Sequence, residues 1–283
     1  MTYLFTNDQE IKNESGNPIS ISKNTTINSA VNPISVDIVG SEVPLLQGKD
    51  WYFQVSEGSV VGANSEYRSS YNPNVSTSEE SIWVQGGLYP WASWTVAQRI
   101  YMISTSTLDT GQQIKIEGLD TNYVYQTETI TSNGLTGVPT SLNYIRIFTA
   151  SLLVDGVTGN NGTITFRLTS GTGTVVANMA IGFCKTKLGQ YTIPANKTGY
   201  LLNFDATVFK TGANAAAELR MYIREFGGSF RVEQLSQVVN GTYLFTCKVP
   251  RKFIQKTDID FRSIGDSNNT IISCNYSLII IDN

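Results

Sequence analysis

From residue 111 onward, apolar and polar positions alternate with a period of two, the spacing of a strand with one buried face. Residues 199–209 set Tyr200, Leu202, Phe204, Ala206 and Val208 against Leu201, Asn203, Asp205, Thr207 and Phe209. Residues 218–224 set Leu219, Met221 and Ile223 against Arg220, Tyr222 and Arg224. The same logic recurs over 242–249 (Tyr243, Phe245, Cys247, Val249) and over 273–281 (Cys274, Tyr276, Leu278, Ile280). Shorter strands are predicted over 113–116, 125–131, 144–150, 163–168, 175–182, 191–193, 230–232 and 259–264. Turn signals such as Asn133-Gly134, Asp155-Gly156, Gly227-Gly228 and Asn240-Gly241 separate them. Many short strands with almost no helix predict an all-β fold, an antiparallel β-sandwich of jelly-roll type occupying 111–283.

The first 110 residues read differently. Residues 13–42 are polar and proline-punctuated, with Asn17-Pro18 and Asn32-Pro33 placing extended or turn residues before each proline. Pro18, Ile19 and Ile21, then Pro33, Ile34, Val36 and Ile38, carry a β-like apolar spacing. That pattern suits an extended arm, residues 1–50, docked along another surface by strand addition. Residues 51–110 form an aromatic-rich connecting segment or small subdomain in which Trp83, Tyr89, Trp91 and Trp94 are the expected packing or subunit interface. A sugar-stacking surface is the other reading of the same cluster. Residues 92–102 are the best helix candidate.

Composition narrows the chemistry. The chain has no histidine, and Lys+Arg 20 against Asp+Glu 23 gives a net charge of -3. Without imidazole there is no Ser-His-Asp or Cys-His site and no His-ligated zinc. Near-neutral charge gives no footprint for nucleic acid or an anionic membrane, so neither is an expected partner. Cys184, Cys247 and Cys274 lack C-x-x-C spacing and read as buried thiols. Neither a phosphate-binding glycine motif nor a metal or cofactor motif is present. The N-terminus has no signal-peptide pattern, and no apolar run is long enough to span a bilayer, so assembly in a cytoplasm is expected.

Paired carboxylates of the glycosidase type remain to be weighed. Asp258 and Asp260 share a strand face beside Lys256 and Arg262, and Glu79-Glu80 lies near the aromatics. The first pair reads as a solvated strand face and the second as part of a Ser/Thr loop, so the expectation is a protein without catalytic activity. Asp155, Asn160 and Asn161 lack EF-hand spacing and read as a hairpin tip. Lys248, Arg251, Lys252 and Lys256 read as a charged strand end that discourages edge pairing.

Blocks spread over most of the chain carry a resemblance. They are Asn17-Pro18-Ile19-Ser20-Ile21, Gln85-Gly86-Gly87-Leu88-Tyr89-Pro90-Trp91, Ile116-Glu117-Gly118-Leu119-Asp120, Tyr191-Thr192-Ile193-Pro194-Ala195-Asn196 and Asp258-Ile259-Asp260-Phe261-Arg262. In these the chain resembles virion structural proteins of marine tailed bacteriophages, cyanophage-like viruses among them. The resemblance implies a virion component assembled in the host cytoplasm, with no catalytic residue to carry over. The expected role is a spike, fibre or neck/tail appendage fastened by its arm to capsid, neck or tail proteins. A capsid decoration protein is the alternative, and a carboxylate-dependent glycan-degrading tail enzyme a more distant one. A homo-oligomer is expected, a trimer first by fold analogy. Outer loops at 155–162 and 266–270 are the expected contacts with a host-surface glycan or protein.

Overall fold

A computed structural model describes residues 28–29, 32–33, 50–154 and 159–283. The arm positions Pro18, Ile19, Ile21, Ile34, Val36 and Ile38 lie outside these residues, while Pro33 falls in a short strand. Two compact units are present, Met1–Glu57 and Gly58–Asn283. In the first, β1 (Asn28–Ser29) pairs antiparallel with β2 (Asn32–Pro33), and α1 (Trp51–Ser56) starts where the Asp50 carboxylate accepts the Tyr52 N–H at 2.8 Å. Trp51, Tyr52 and Phe53 are exposed on this helix.

The second unit is antiparallel β throughout. It begins with β3 (Ala63–Val75) and β4 (Glu80–Ser81), continues through β5 (Ile100–Ser104), β6 (Thr110–Leu119), β7 (Tyr125–Asn133), β8 (Val138–Pro139), β9 (Arg146–Val154), β10 (Ile164–Leu168) and β11 (Val175–Met179). It then runs through β12 (Gln190–Thr192), β13 (Lys197–Phe209), β14 (Ala216–Arg224), β15 (Arg231–Val239), β16 (Gly241–Phe253), β17 (Asp258–Gly265) and β18 (Thr270–Asp282). Two sheets carry the main core, one ordered β3-β18-β13-β16 and the other β12-β17-β14-β15, with β4 also pairing β17. Counting these eight strands 1 to 8 in chain order, β3 first and then β12 to β18, the orders are 1-8-3-6 and 2-7-4-5. The sheets meet face to face: Phe261 lies 5.3 Å from Phe204 and 4.9 Å from Tyr276, ring centre to ring centre. Burying such rings is the largest apolar contribution to the core.

Between β3 and β12 the chain builds two more sheets, β11-β10-β5-β8 and β7-β6-β9. At Gly118 a bulge brings β9 so close that an added Cβ would collide with the Arg146 carbonyl. Just beyond the bulge Arg146, the first residue of β9, pairs with Leu119.

Several expectations change, among them the reading of all three cysteines as buried. The boundary between units falls after residue 57, and the body includes residues 63–75 and 100–104, so 51–110 is not a separate connector. Residues 92–102 are not a helix: a 3-10 turn, Trp91–Ser93, is followed by β5. The alternation in β13 breaks at a bulge between Leu201 and Asn203, which buries Leu201 in place of Leu202. Asn240-Gly241 joins strands of different sheets, since β15 pairs β14 while β16 pairs β13. All three cysteines are free, with Cys274 buried and Cys184 and Cys247 half-buried.

Candidate functional site

The densest group of charged side chains lies on the outer face of the β12-β17-β14-β15 sheet. On β17, Ile259 and Phe261 point into the core, so the intervening Asp258, Asp260 and Arg262 share the opposite face. Register places Asp258 between Thr192 and Arg224, Asp260 between Gln190 and Tyr222, and Arg262 between Ser81 and Arg220. The pattern D-x-D-x-R on one strand thus meets R-x-Y-x-R on the next.

Every oxygen of the two aspartates is engaged. Asp258 Oδ1 accepts from Thr192 Oγ1 (2.5 Å) and Arg146 Nε (3.3 Å), and its Oδ2 accepts from Arg224 Nε (2.9 Å) and Nη2 (2.5 Å). Asp260 Oδ2 accepts from Arg262 Nε (2.7 Å), the Trp91 indole (3.0 Å) and Ser81 Oγ (3.1 Å), and its Oδ1 accepts from Gln190 Nε2 (2.9 Å). Glu79 closes the far end, accepting from Tyr222 Oη (2.8 Å), Arg220 (2.9 Å) and Arg262 (3.0 Å).

The cover comes from residues 82–98. They leave β4 where the Ile82 N–H donates to Phe261 O (2.8 Å) and end at the bridge between Gln98 and Tyr144. Within this strap Trp83, Tyr89 and Trp91 stack edge to face at 5.1 and 4.8 Å. The Trp94 indole donates to Tyr144 O at 3.0 Å. Under Trp91 lie the guanidinium groups of Arg146 (4.9 Å) and Arg224 (5.4 Å), and Arg224 also sits 4.4 Å from the Phe230 ring. Desolvated cation–π contacts of this kind add to the ion pairs. Asp260 is 0% and Asp258 4% exposed.

Burial alone would raise the Glu79 pKa, but hydrogen bonds from Tyr222, Arg262 and Arg220 hold it below the ordinary 4.5. Glu80 behaves alike: against the same desolvation, bonds from Ser76, the Gly87 N–H and Asn72 pull its pKa down. These carboxylates therefore hold structure. Each of their oxygens already accepts at least one bond from a donor of the chain itself.

The structure thus corrects the reading of Asp258 and Asp260 as a solvated strand face: both are buried because the strap covers them. Glu79 and Glu80 are tied into the same region. Trp83, Tyr89, Trp91 and Trp94 are all buried within the chain, packed on this network. Of the outer loops, residues 155–158 lie outside the described residues. Asn160 is buried, bonding Gly162 O (2.7 Å) and Ala180 O (2.8 Å), and the Asn161 and Gly162 N–H groups donate to Asp109. The 266–270 loop is pinned by Lys210, which donates to Ser267 Oγ (2.9 Å) and Asn268 O (2.7 Å). Of the basic stretch, Lys256 sits over Tyr123 (5.1 Å) and Phe226 (4.9 Å), and Arg251 faces Glu233. Sequence reasoning missed Arg146, Arg220 and Arg224. The period-2 alternation of β14, which puts Arg220 and Arg224 on the face away from the core, was the available signal for the last two; Arg146 had none.

Among the described residues, the opposite outer face, on the β3-β18-β13-β16 sheet, has no comparable strap over it. Its cross-strand rows are Tyr67-Ser277-Asn203-Thr246, Ser69-Asn275-Asp205-Leu244 and Tyr71-Ser273-Thr207-Thr242. Asp205 is the one carboxylate in these rows, and it accepts from Asn275 Nδ2 at 2.9 Å. A polar cleft of about 360 Å³ opens beside Glu80, lined by Asn72, Asn74, Gln85 and Gly86 among others.

No protein-family model and no curated protein matches the chain. Among solved structures, the crystal structure of the infectious bursal disease virus VP2 subviral particle is 9% identical, covering 78% of this chain and 72% of that one, with a TM-score of 0.18. The structure of the infectious bursal disease virus Gt strain is 10% identical, covering 78% and 73%, again at 0.18. Likeness at that TM-score carries no argument.

Proposed function

We propose that the protein is a structural component of a tailed-phage virion, fastened by an extended arm within residues 1–50 and projecting a jelly-roll β-sandwich as an appendage subunit. The observation that carries the reading is the strand order 1-8-3-6 over 2-7-4-5, the winding of an eight-stranded jelly roll, an architecture used by viral capsid and lectin domains. A fold does not by itself name a function. Two further features support the reading: the sequence resemblance to virion proteins, and a charged cluster whose groups are spent on internal bonds. The body acts by being stable and held in place, as a homo-oligomer with a trimer as the first expectation.

The test is made on purified particles. Mass spectrometry of gradient-banded virions should find peptides of this chain, and antibody labelling should decorate intact particles at a defined station. A copy number in the tens fits an appendage, and one in the hundreds fits capsid decoration. Deleting residues 1–45 should leave a folded body that no longer joins particles. Detection only in the soluble fraction of the lysate would overturn the reading.

A further inference from the structure

The uncovered sheet has one edge whose chemistry is not that of a solvated surface. On β3, Tyr67, Ser69 and Tyr71 share the outer face, since they pair with Ser277, Asn275 and Ser273, whose neighbours Cys274 and Tyr276 point into the core. Tyr67 is 65% exposed. Four residues of strand separate the two tyrosines by about 13 Å. The Tyr71 ring has Phe183, itself exposed, at 5.9 Å. Between the two platforms the Lys187 ammonium reaches in from beyond the strand edge and donates to Ser69 Oγ at 3.5 Å.

Lys187 is half-buried, and among the described residues no carboxylate forms an ion pair with it. Burial, and secondarily the charge of Lys185, lower its pKa. A partly desolvated ammonium beside a second lysine is complementary to an anion. The flanking groups Ser273, Asn275, Ser277 and Asp205 are short hydroxyls, amide and carboxylate. A protein interface core would instead be rich in apolar side chains. Flat aromatic rings with hydroxyl and amide partners, spaced over a few sugar units, suit pyranose rings.

We propose that the β3 edge of the uncovered sheet binds an anionic oligosaccharide, with sugar faces on Tyr67 and Tyr71 and the acid group on Lys187. The assignment rests on this geometry and not on incorporation into a particle, so the two can fail separately.

Calorimetry of the full chain with oligogalacturonate of about four to six units tests it. Neutral maltooligosaccharide of equal length and sodium sulfate are run in parallel. The acidic oligomer should bind saturably and more tightly than either control, and added salt should weaken it. Lys187→Gln should weaken binding about tenfold and Tyr67→Ala about fivefold, with Lys187→Arg retaining most of it. Unchanged circular dichroism and melting would show that these surface variants fold. Absence of saturable binding, or affinity indifferent to Lys187→Gln, would overturn the proposal. Sulfate binding that equals the oligomer and ignores Tyr67 would reduce the site to a simple anion site and overturn the saccharide assignment. Sedimentation showing an oligomer that Tyr67→Ala dissociates would give the edge to a second copy of the chain, with the same consequence.

Discussion

The two outer sheet faces begin from the same sequence device, a polar residue at every second position, and end in opposite environments. On β17 and β14 those positions are Asp258, Asp260, Arg262, Arg220, Tyr222 and Arg224; on β18 and β13 they are Ser273, Asn275, Ser277, Asn203, Asp205 and Thr207. The first set is covered by residues 82–98 and by Arg146, both from the stretch between β3 and β12. The second set has no such cover among the described residues. Alternation therefore tells which residues leave the core but not whether they reach water. What distinguishes the faces is charge: the covered one carries Asp258 paired in register with Arg224, and Arg220 and Arg262 converging on Glu79, while the open one carries hydroxyls and amides with Asp205 as its one carboxylate.

The largest way to break this comparison is to remove a buried charge. Asp258→Ala would leave Arg146 without its carboxylate and should cost about 3–5 kcal/mol in urea unfolding. A loss near zero would mean the network is open to solvent. Trp91→Phe keeps the ring over Arg146 and Arg224 but deletes the indole bond to Asp260, and should cost about 1–3 kcal/mol by the same assay.

Acid titration sharpens the contrast next. Glu79 and Glu80, with pKa values held below 4.5, and Asp109, held below 3.8 against its burial by bonds from Ser104, Asn161 and Gly162, bind fewer protons folded than unfolded. Their contribution is complete above those ordinary values and is lost as pH falls through the folded ones. Glu66 has the opposite sign: burial raises its pKa, so its ionised form opposes folding and lowering the pH relieves it. Urea midpoints should rise slightly as pH is lowered toward about 4.5 and fall steeply below it. Glu66→Gln should abolish the rise, and Glu79→Gln should soften the fall. Smallest of all, Ser273→Ala or Thr207→Ser on the open face should move stability by no more than about 0.5 kcal/mol. A larger loss there would show that this face too is covered.

Much of the fold was legible. Most strands from β6 to β18 follow from alternation and turn residues, because one-sided burial writes itself directly into the sequence; the two-residue β8 does not, and β15 was read only at its start. β3 was not legible, although it pairs along most of β18. Its inward residues are Arg68, Ser70 and Asn72, polar side chains bonded to groups outside the strand: Arg68 to Phe148 O, Ser70 to Cys274 O at 2.6 Å, Asn72 to Glu80 at 3.1 Å. Such a strand has no apolar stripe to read. For the same reason the division at residue 110 could not be corrected from pattern alone, since β3 and β5 join sheets completed much later in the chain. The carboxylates of the candidate site were identified by type, but their burial depends on a strap docking from outside the strand. That docking is a tertiary event with no local signature. Arg146 illustrates the limit, as it sits just beyond a bulge at Gly118 and belongs to no motif.

The place of β18 between β3 and β13 has a temporal consequence. Ala63 cannot find its partner until Ile281 has left the ribosome. At synthesis rates of about 5–20 residues per second, the delay is on the order of 10–40 s. During that interval β3 presents unpaired peptide groups to the cell, and its serines, asparagines and arginine make it a poor nucleus for aggregation. Polarity that obscured the strand from pattern reading is thus what allows the nascent chain to wait.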